Sequence, residues 1–145
     1  MKIRLPYLPS RVPSQVGRAL EHVSLYPNTV KRAEWSNSVY RKMLFQGARD
    51  QMKADAFYLT REALAEEKAP GGPLRGHSGP IVVRVTLGVS GRGKRPDSDG
   101  IIAALKSAFD GASYALSVDD GQFVQTDPAL VKSKEGWTEI ELEAG

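Results

Sequence analysis

Two aspartates, Asp97 and Asp99, stand between a glycine-rich basic loop and an apolar segment, and a second acidic pair, Asp119 and Asp120, follows that segment. Carboxylates that converge repel one another unless a cation neutralises them, and hard oxygen ligands select Mg²⁺ or Mn²⁺. Such ions polarise a phosphate, activate water and stabilise the leaving oxygen in phosphodiester hydrolysis. If the chain brings the two pairs together, the pattern predicts a metal site for phosphoryl chemistry.

A lysine accompanies the first pair. Residues 100 to 114 have a helical pattern, and at 100° per residue Asp99, Lys106 and Asp110 fall within about 20° of one line along the helix. Lys106 is about 10 Å from Asp99 along the axis, and its ammonium could neutralise charge that develops on a phosphate or leaving group. The opposite arc of the helix carries the apolar side chains Ile101, Ile102, Leu105, Ala108, Phe109 and Ala112.

Each of these residues also has a structural explanation. Asp99 could be the N-cap of the helix, accepting the free amide hydrogens of its first turn. Lys106 and Asp110, at i and i+4, could form a surface ion pair worth a few tenths of a kcal/mol. Asp119 and Asp120 could belong to a turn, where aspartate is favoured. The sequence leaves these alternatives open.

Basic side chains surround the first acidic pair and would attract a phosphate backbone. The nearest are Arg92, Lys94 and Arg95, in the loop directly before Asp97. Second-tier candidates for the same role are Lys31, Arg32, Arg41 and Lys42, followed by Lys132 and Lys134. Each could equally be a solvated surface charge.

The elements that must position these side chains are predicted by periodicity. Residues 36 to 67 contain no proline and predict a long amphipathic helix. Its apolar stripe is expected to consist of Val39, Met43, Leu44, Ala48, Met52, Ala56, Leu59 and Ala63. Alternation over residues 81 to 89 and 137 to 143 predicts two strands, the second with Glu139, Glu141 and Glu143 facing water.

The shorter segments complete the expected fold. Residues 2 to 5 and 122 to 126 predict short strands, whereas residues 6 to 35 hold four prolines and predict a long irregular segment. The order of elements predicts an α+β fold, a small mixed β-sheet packed against two main helices. The 145 residues suit a single domain over residues 1 to 145.

Composition narrows the class of protein. The chain has no cysteine, which excludes disulfides and thiolate metal sites, and two histidines make a zinc site improbable. No stretch approaches the roughly 20 apolar residues of a membrane helix, and no apolar leader is seen, so we expect a cytoplasmic protein that avoids membranes. The net charge is +3, and the body is noticeably basic apart from an acidic last strand, which suits an anionic partner.

Three groups of residues resemble the RusA family of Holliday junction endonucleases. The specific ones are Asp97-Ser98-Asp99-Gly100, then Leu105-Lys106-Ser107-Ala108-Phe109-Asp110-Gly111, then Val118-Asp119-Asp120. The start of the chain, Leu5-Pro6-Tyr7-Leu8-Pro9-Ser10, is similar to the family's opening strand and loop. Tyr26-Pro27-Asn28, Trp35 and Tyr40 are similar to a segment of one branch. The resemblance covers nearly the whole chain, with the specific motifs between residues 95 and 124.

This resemblance implies a homodimeric, Mg²⁺-dependent endodeoxyribonuclease, with Mn²⁺ as a possible substitute, that resolves four-way DNA junctions in recombination and repair; members are common in phages. By position, the family's catalytic carboxylates fall on Asp97, Asp99 and Asp120, with Asp119 as the fallback. Its essential lysine falls on Lys106. Gly100 replaces the family's usual asparagine, and the stretch between Asp110 and Asp119 is one residue short.

Two other functions remain open from the sequence. One is a non-catalytic branched-DNA-binding module on the same fold, with the aspartates acting as caps and turns. The other is a general basic scaffold protein with no preference for branched DNA. Mg²⁺-dependent nicking would distinguish the enzyme from both, and equal affinity for linear and four-way DNA would favour the scaffold.

Overall fold

The computed structural model describes residues 1–66, 74–91, 93 and 95–145. Within these residues the strands are β1 (Lys2–Leu5), β2 (Val12–Val16), β3 (Ala19–Val23), β4 (Ile81–Val89), β5 (Phe123–Gln125), β6 (Ala129–Lys132) and β7 (Trp137–Ala144). The helices are α1 (Pro27–Glu34), α2 (Val39–Glu66), α3 (Ser98–Ala104) and α4 (Lys106–Leu116). A mixed sheet, a small antiparallel sheet and these helices confirm the predicted α+β class.

The mixed sheet is built around β4. On one side β4 pairs antiparallel with β7, which pairs antiparallel with β1, and on the other side it pairs parallel with β5 and β6. The predicted alternation is confirmed: alternate residues of β4 and β7 are buried, because one face of the sheet forms the core with the helices. The buried residues of the two strands are Ile81, Val83, Val85, Leu87, Thr138, Ile140 and Leu142.

The opposite face of the sheet carries charged side chains. The predicted outward row of glutamates lies here, and each glutamate pairs with a cation from a neighbouring strand: Arg4 with Glu139 at 2.9 Å, Lys2 with Glu141 at 3.7 Å and Arg84 with Glu143 at 2.6 Å. Such exposed pairs contribute at most about 1 kcal/mol each. They do, however, neutralise the acidic last strand locally. No lysine or arginine of the helices forms an ion pair with another described residue.

The prediction that residues 6 to 35 are irregular was wrong. The segment contains the β2–β3 hairpin, which turns at Gly17 with φ of +62°, and then α1. Pro13 lies in the two-stranded hairpin, where a missing ladder donor is tolerated at an edge. Pro27 occupies the start of α1, where proline needs no amide hydrogen. These two prolines therefore occupy positions within a strand and a helix and do not interrupt them.

The long helix was predicted within a few residues of its bounds. Its central stripe is buried, including Leu44, Ala48, Met52 and Ala56. Val39 and Met43, which were assigned to this stripe, are 70% and 51% exposed; Met43 directly precedes the buried Leu44 and Phe45, so its side chain lies on the other side of the helix. The helix packs chiefly against α4.

The predicted helix over residues 100 to 114 is interrupted. It begins at Ser98, and α3 and α4 meet at Leu105, whose φ of −96° and ψ of 6° leave the helical region. The predicted amphipathicity is confirmed, with one face in the core and Lys106 exposed. The strand β6, which is four residues long, was not predicted. No helix in the described part of the chain combines the length and the apolar character that crossing a membrane requires.

Candidate active site

Asp97 is the N-cap of α3. Its Oδ1 accepts a hydrogen bond of 2.6 Å from the backbone N–H of Gly100. The alternative that Asp99 caps the helix is therefore wrong: Asp99 lies in the first turn, where a negative charge interacts favourably with the helix dipole. Both aspartates are exposed. The second oxygen of Asp97 and both oxygens of Asp99 have no hydrogen bond to another described residue, so they remain available to a ligand.

Gly100 leaves room for the Asp97 carboxylate in this arrangement. A Cβ on residue 100 would lie 2.6 Å from Oδ1 of Asp97, too close for the carboxylate to stay where it is. The glycine that departs from the resembled family pattern therefore lets Asp97 approach the start of the helix. A side chain at this position would require the carboxylate, the movable end of its side chain, to shift.

Tyr26 faces the same carboxylate. A cavity of about 540 Å³ is lined by Tyr26 and Asn28, from the start of α1, together with Arg95, Asp97 and Asp99. Burial, and then the negative charge of Asp97, raises the pKa of Tyr26 to about 12. The phenol therefore stays protonated at neutral pH and can donate a hydrogen bond to an anion. From the sequence, Tyr26 belongs only to the motif that resembles the family and has no predicted role.

The second acidic pair belongs to a short 3₁₀ helix, Asp120–Gln122. Oδ1 of Asp119 accepts from the N–H of Gly121 at 2.9 Å, and the N–H of Asp119 donates to Oε1 of Gln122 at 2.9 Å. Gln122 also donates from Nε2 to the carbonyls of His77 and Gly79, at 2.7 and 2.8 Å. The turn role considered for this pair is thus filled by Asp119.

Asp120 has carboxyl groups on either side. Hydrogen bonding with Asp119 and then Asp110, reinforced by their charge, raises the pKa of Asp120. Asp110 comes from α4 and was considered in the sequence only as a partner for Lys106. Lys106 forms no ion pair with another described residue, so the proposed Lys106–Asp110 pair is not formed.

The two acidic groups lie at different places. Asp97 follows the carboxyl end of β4, whereas Asp120 precedes β5, whose Phe123 pairs with the first residue of β4. A nine-residue strand spans roughly 26 Å. Along the helices, Asp99 and Asp110 are separated by up to about 16 Å. In the part of the chain that the structure describes, no group of three or more histidine, aspartate or glutamate side chains could hold a metal ion.

Asp97 and Asp99 nevertheless have the donor chemistry that Mg²⁺ requires. Proteins usually bind this ion through one or two carboxylates, while water and substrate phosphates take the remaining positions. The structure brings Asp97 and Asp99 together at one cavity. Joint coordination with Asp120, or with Asp119, stays a prediction.

The cavity beside Asp97 continues into a groove between the helices. A second cavity, of about 550 Å³, shares Pro27 and Ala103 with the first and lies between α1, α2 and the α3–α4 pair. A third, of about 330 Å³, shares Val30, Glu34, Gln46 and Arg49 with the second. We call these three cavities the helical groove.

Six described cations line the helical groove: Lys31, Lys42, Arg49, Lys53, Arg95 and Lys106. Four of them were predicted from the sequence. Arg49 and Lys53 were missed, because their only sequence signal is a spacing of four on the long helix, which also fits a solvated face. Four predicted cations that the structure describes do not line the groove: Arg32, Arg41, Lys132 and Lys134. Arg92 and Lys94 lie outside the described residues.

The site therefore combines an exposed carboxylate pair, a lysine and a row of cations without ion-pair partners among the described residues. Carboxylates can hold a hard cation, and the basic side chains can hold phosphates. Such an arrangement suits a phosphodiester ligand. No protein-family model matches the chain, and no curated protein matches its sequence.

Proposed function

We propose that this chain is a Mg²⁺-dependent endodeoxyribonuclease that resolves four-way (Holliday) DNA junctions. The observation that carries the proposal is that Asp97 and Asp99 line a groove that also contains Lys106 and further cations, none of which has an ion-pair partner among the described residues. The resemblance of the residues around Asp97, Lys106 and Asp120 to the RusA family supplies the substrate class. The activity would serve DNA recombination and repair.

The carboxylates have the task of holding the metal ion. The free oxygen of Asp97 and the carboxylate of Asp99 would bind Mg²⁺ or Mn²⁺. Asp120, with Asp119 as its fallback, is the third carboxylate that the family resemblance implies, and it would have to move toward this pair to share the ion. The bound ion would polarise the scissile phosphate and lower the pKa of a water molecule. Because Oδ1 of Asp97 is held by the Gly100 N–H, the orientation of this carboxylate is set before any ligand arrives.

Two further side chains would act on the phosphate. The exposed Lys106 lines the groove without a carboxylate partner among the described residues, so its charge is free to stabilise negative charge on the phosphate or leaving oxygen. The protonated phenol of Tyr26 lines the carboxylate cavity and can donate a hydrogen bond to a phosphate oxygen there.

A homodimer follows from the symmetry of the substrate. A four-way junction has two-fold symmetry, and productive resolution needs nicks on two opposed strands. A two-fold protein dimer presents one active site to each of these strands.

The deciding experiment incubates the purified protein with a labelled synthetic four-way junction, in Mg²⁺ or in EDTA. We expect paired nicks only with Mg²⁺. Asp97→Asn should abolish cleavage and leave junction binding intact, because asparagine is as good an N-cap as aspartate but lacks the charge. The control is Asp127→Asn, which removes an exposed carboxylate outside the groove. Cleavage by Asp97→Asn at the wild-type rate would show that the site is wrongly assigned.

The second candidate is a non-catalytic protein that binds branched DNA on the same fold. It is favoured by the capping roles of Asp97 and Asp119 and by the separation of the two acidic pairs. This candidate predicts tight, salt-sensitive junction binding with no nicks in Mg²⁺ or Mn²⁺. Equal affinity for linear duplex and four-way DNA would favour a general scaffold instead.

A further inference from the structure

We propose that the central part of the helical groove binds the phosphate backbone of the DNA strand that leads away from the carboxylate pair, with Arg49 and Lys53 of α2 as its anchoring cations. This inference rests on the proposed function for the identity of the ligand. It assigns a binding role to two side chains of a helix that otherwise serves the core.

The geometry places cations on three sides of one cavity. Arg49 and Lys53 are four residues apart on α2, about 6 Å along its axis, and both line the cavity of about 550 Å³. Lys31 reaches the same cavity from α1, and Lys106 reaches it from α4. Four positive charges from three helices therefore face one space.

These cations are not used within the described structure. None of the four forms an ion pair with another described residue, although Arg49 is half-buried. Lys31, Lys53 and Lys106 are exposed, whereas Arg49 is partly removed from water without an ion-pair partner among the described residues, and an anion in the cavity would supply that partner.

The carboxylates of the same cavity are partly engaged elsewhere. Oδ1 of Asp50 accepts a hydrogen bond of 3.0 Å from Gln46, and Asp110 interacts with Asp120. Glu34 is the remaining carboxylate of the lining. Together with Glu34, these carboxylates reduce the net charge of the lining to +1 (four cations less three anions), but none of them forms an ion pair with the four cations, which therefore can contact an external anion.

The ligand is better matched by a polyanion than by a single anion. The cavity shares Pro27 and Ala103 with the one that holds Asp97 and Asp99, so a chain of phosphates can run from the carboxylates past Lys106 to α2. Cations arranged in series fit the regular charge spacing of a nucleic-acid strand. A single phosphate would leave most of them unpaired.

The test measures binding of a labelled four-way junction in EDTA, between about 50 and 200 mM salt, a range over which phosphate contacts dominate the salt dependence. Arg49→Ala and Lys53→Ala should each weaken binding several-fold and reduce the slope of log affinity against log salt by about 0.9. The double variant should lose about twice that slope. Arg49→Lys, which keeps the charge, should bind nearly as the wild type does.

The matched control is Lys2→Ala, which removes a cation paired with Glu141 on the outer face of the sheet and should leave affinity and slope unchanged. Circular dichroism melting monitors folding, and the charge-conserving Arg49→Lys separates lost charge from lost structure. Wild-type affinity and slope in the double variant would overturn the groove assignment. If the wild-type protein binds the junction but never nicks it, only the nuclease proposal is contradicted. If it binds no DNA, the nuclease proposal and the groove assignment are both contradicted.

Discussion

The carboxylate of Asp97 and the backbone N–H of Gly100 are joined by a hydrogen bond of 2.6 Å that both starts α3 and orients a candidate metal ligand. The two residues are close enough to influence each other, because a Cβ at position 100 would lie 2.6 Å from the same oxygen and would require it to shift. Gly100 therefore acts on Asp97 in two ways: its backbone N–H holds the carboxylate, and its missing Cβ leaves room for the same carboxylate.

This coupling can be measured with a double-mutant cycle. In the helix, Gly100→Ala should by itself stabilise by about 0.5–1 kcal/mol, since alanine is the better helix former. Displacement of Asp97 should cancel that gain in the wild type but not in the Asp97→Ala background. Urea denaturation of the four proteins should give a coupling free energy of about 1 kcal/mol. Additive effects would contradict the predicted clash.

Two substitutions should distinguish the role of Asp97 as a helix cap from its role in cleavage. Asp97→Ala should lower the free energy of unfolding by about 1 kcal/mol, because the cap is lost, whereas Asp97→Asn should keep it. Both variants should lose Mg²⁺-dependent cleavage. The measurements are urea denaturation and junction nicking, and an Asp97→Asn protein as unstable as Asp97→Ala would argue against the cap.

Tyr26 should titrate at unusually high pH. Its pKa is raised from 10.0 to about 12, first by burial and then by Asp97. Its stabilising contribution is therefore complete below pH 10 and is lost as the pH rises through about 12. Ultraviolet titration of phenolate, compared between wild type and Tyr26→Phe, should identify this step. Asp97→Asn should lower the pKa of Tyr26, but not to its ordinary value, since burial persists.

Asp120 should destabilise the protein at neutral pH. Its pKa is raised by the carboxyl groups of Asp119 and Asp110, so the ionised form is disfavoured in the folded state. Below the ordinary pKa of 3.8 Asp120 is protonated and the repulsion is absent. As the pH rises through the raised pKa of Asp120 in the folded protein, the carboxyl ionises and the repulsion destabilises the fold.

Asp120→Asn should therefore raise the melting temperature at pH 7 and have no such effect near the ordinary pKa of the carboxyl group. Asp127→Asn, at an exposed site outside the cluster, is the control and should change neither value. An unchanged or lower melting temperature for Asp120→Asn at pH 7 would show that the three carboxyl groups do not interact.

Much of the fold could be predicted because its signals are local. The alternation of β4 and β7 and the helical period of α2 were confirmed, since side-chain spacing along one element dictates which face is buried. The acidic pair at the start of α3 was recognisable because its signal is also local: the two aspartates directly precede a segment with a helical pattern. The hairpin and α1 were missed because a proline can either break or begin an element, and only the neighbouring strand or helix distinguishes the two.

The sequence by itself determined which side chains carry charge and which stripe of each helix is apolar. The tertiary structure decided which charges meet. Asp97, and not Asp99, caps α3. Asp120 lies near Asp110. Arg49 and Lys53 line a groove whose other walls are α1 and α4. The physical reason is that periodicity orders residues along one element, whereas a site is formed by elements distant in sequence and brought together by burial of the core.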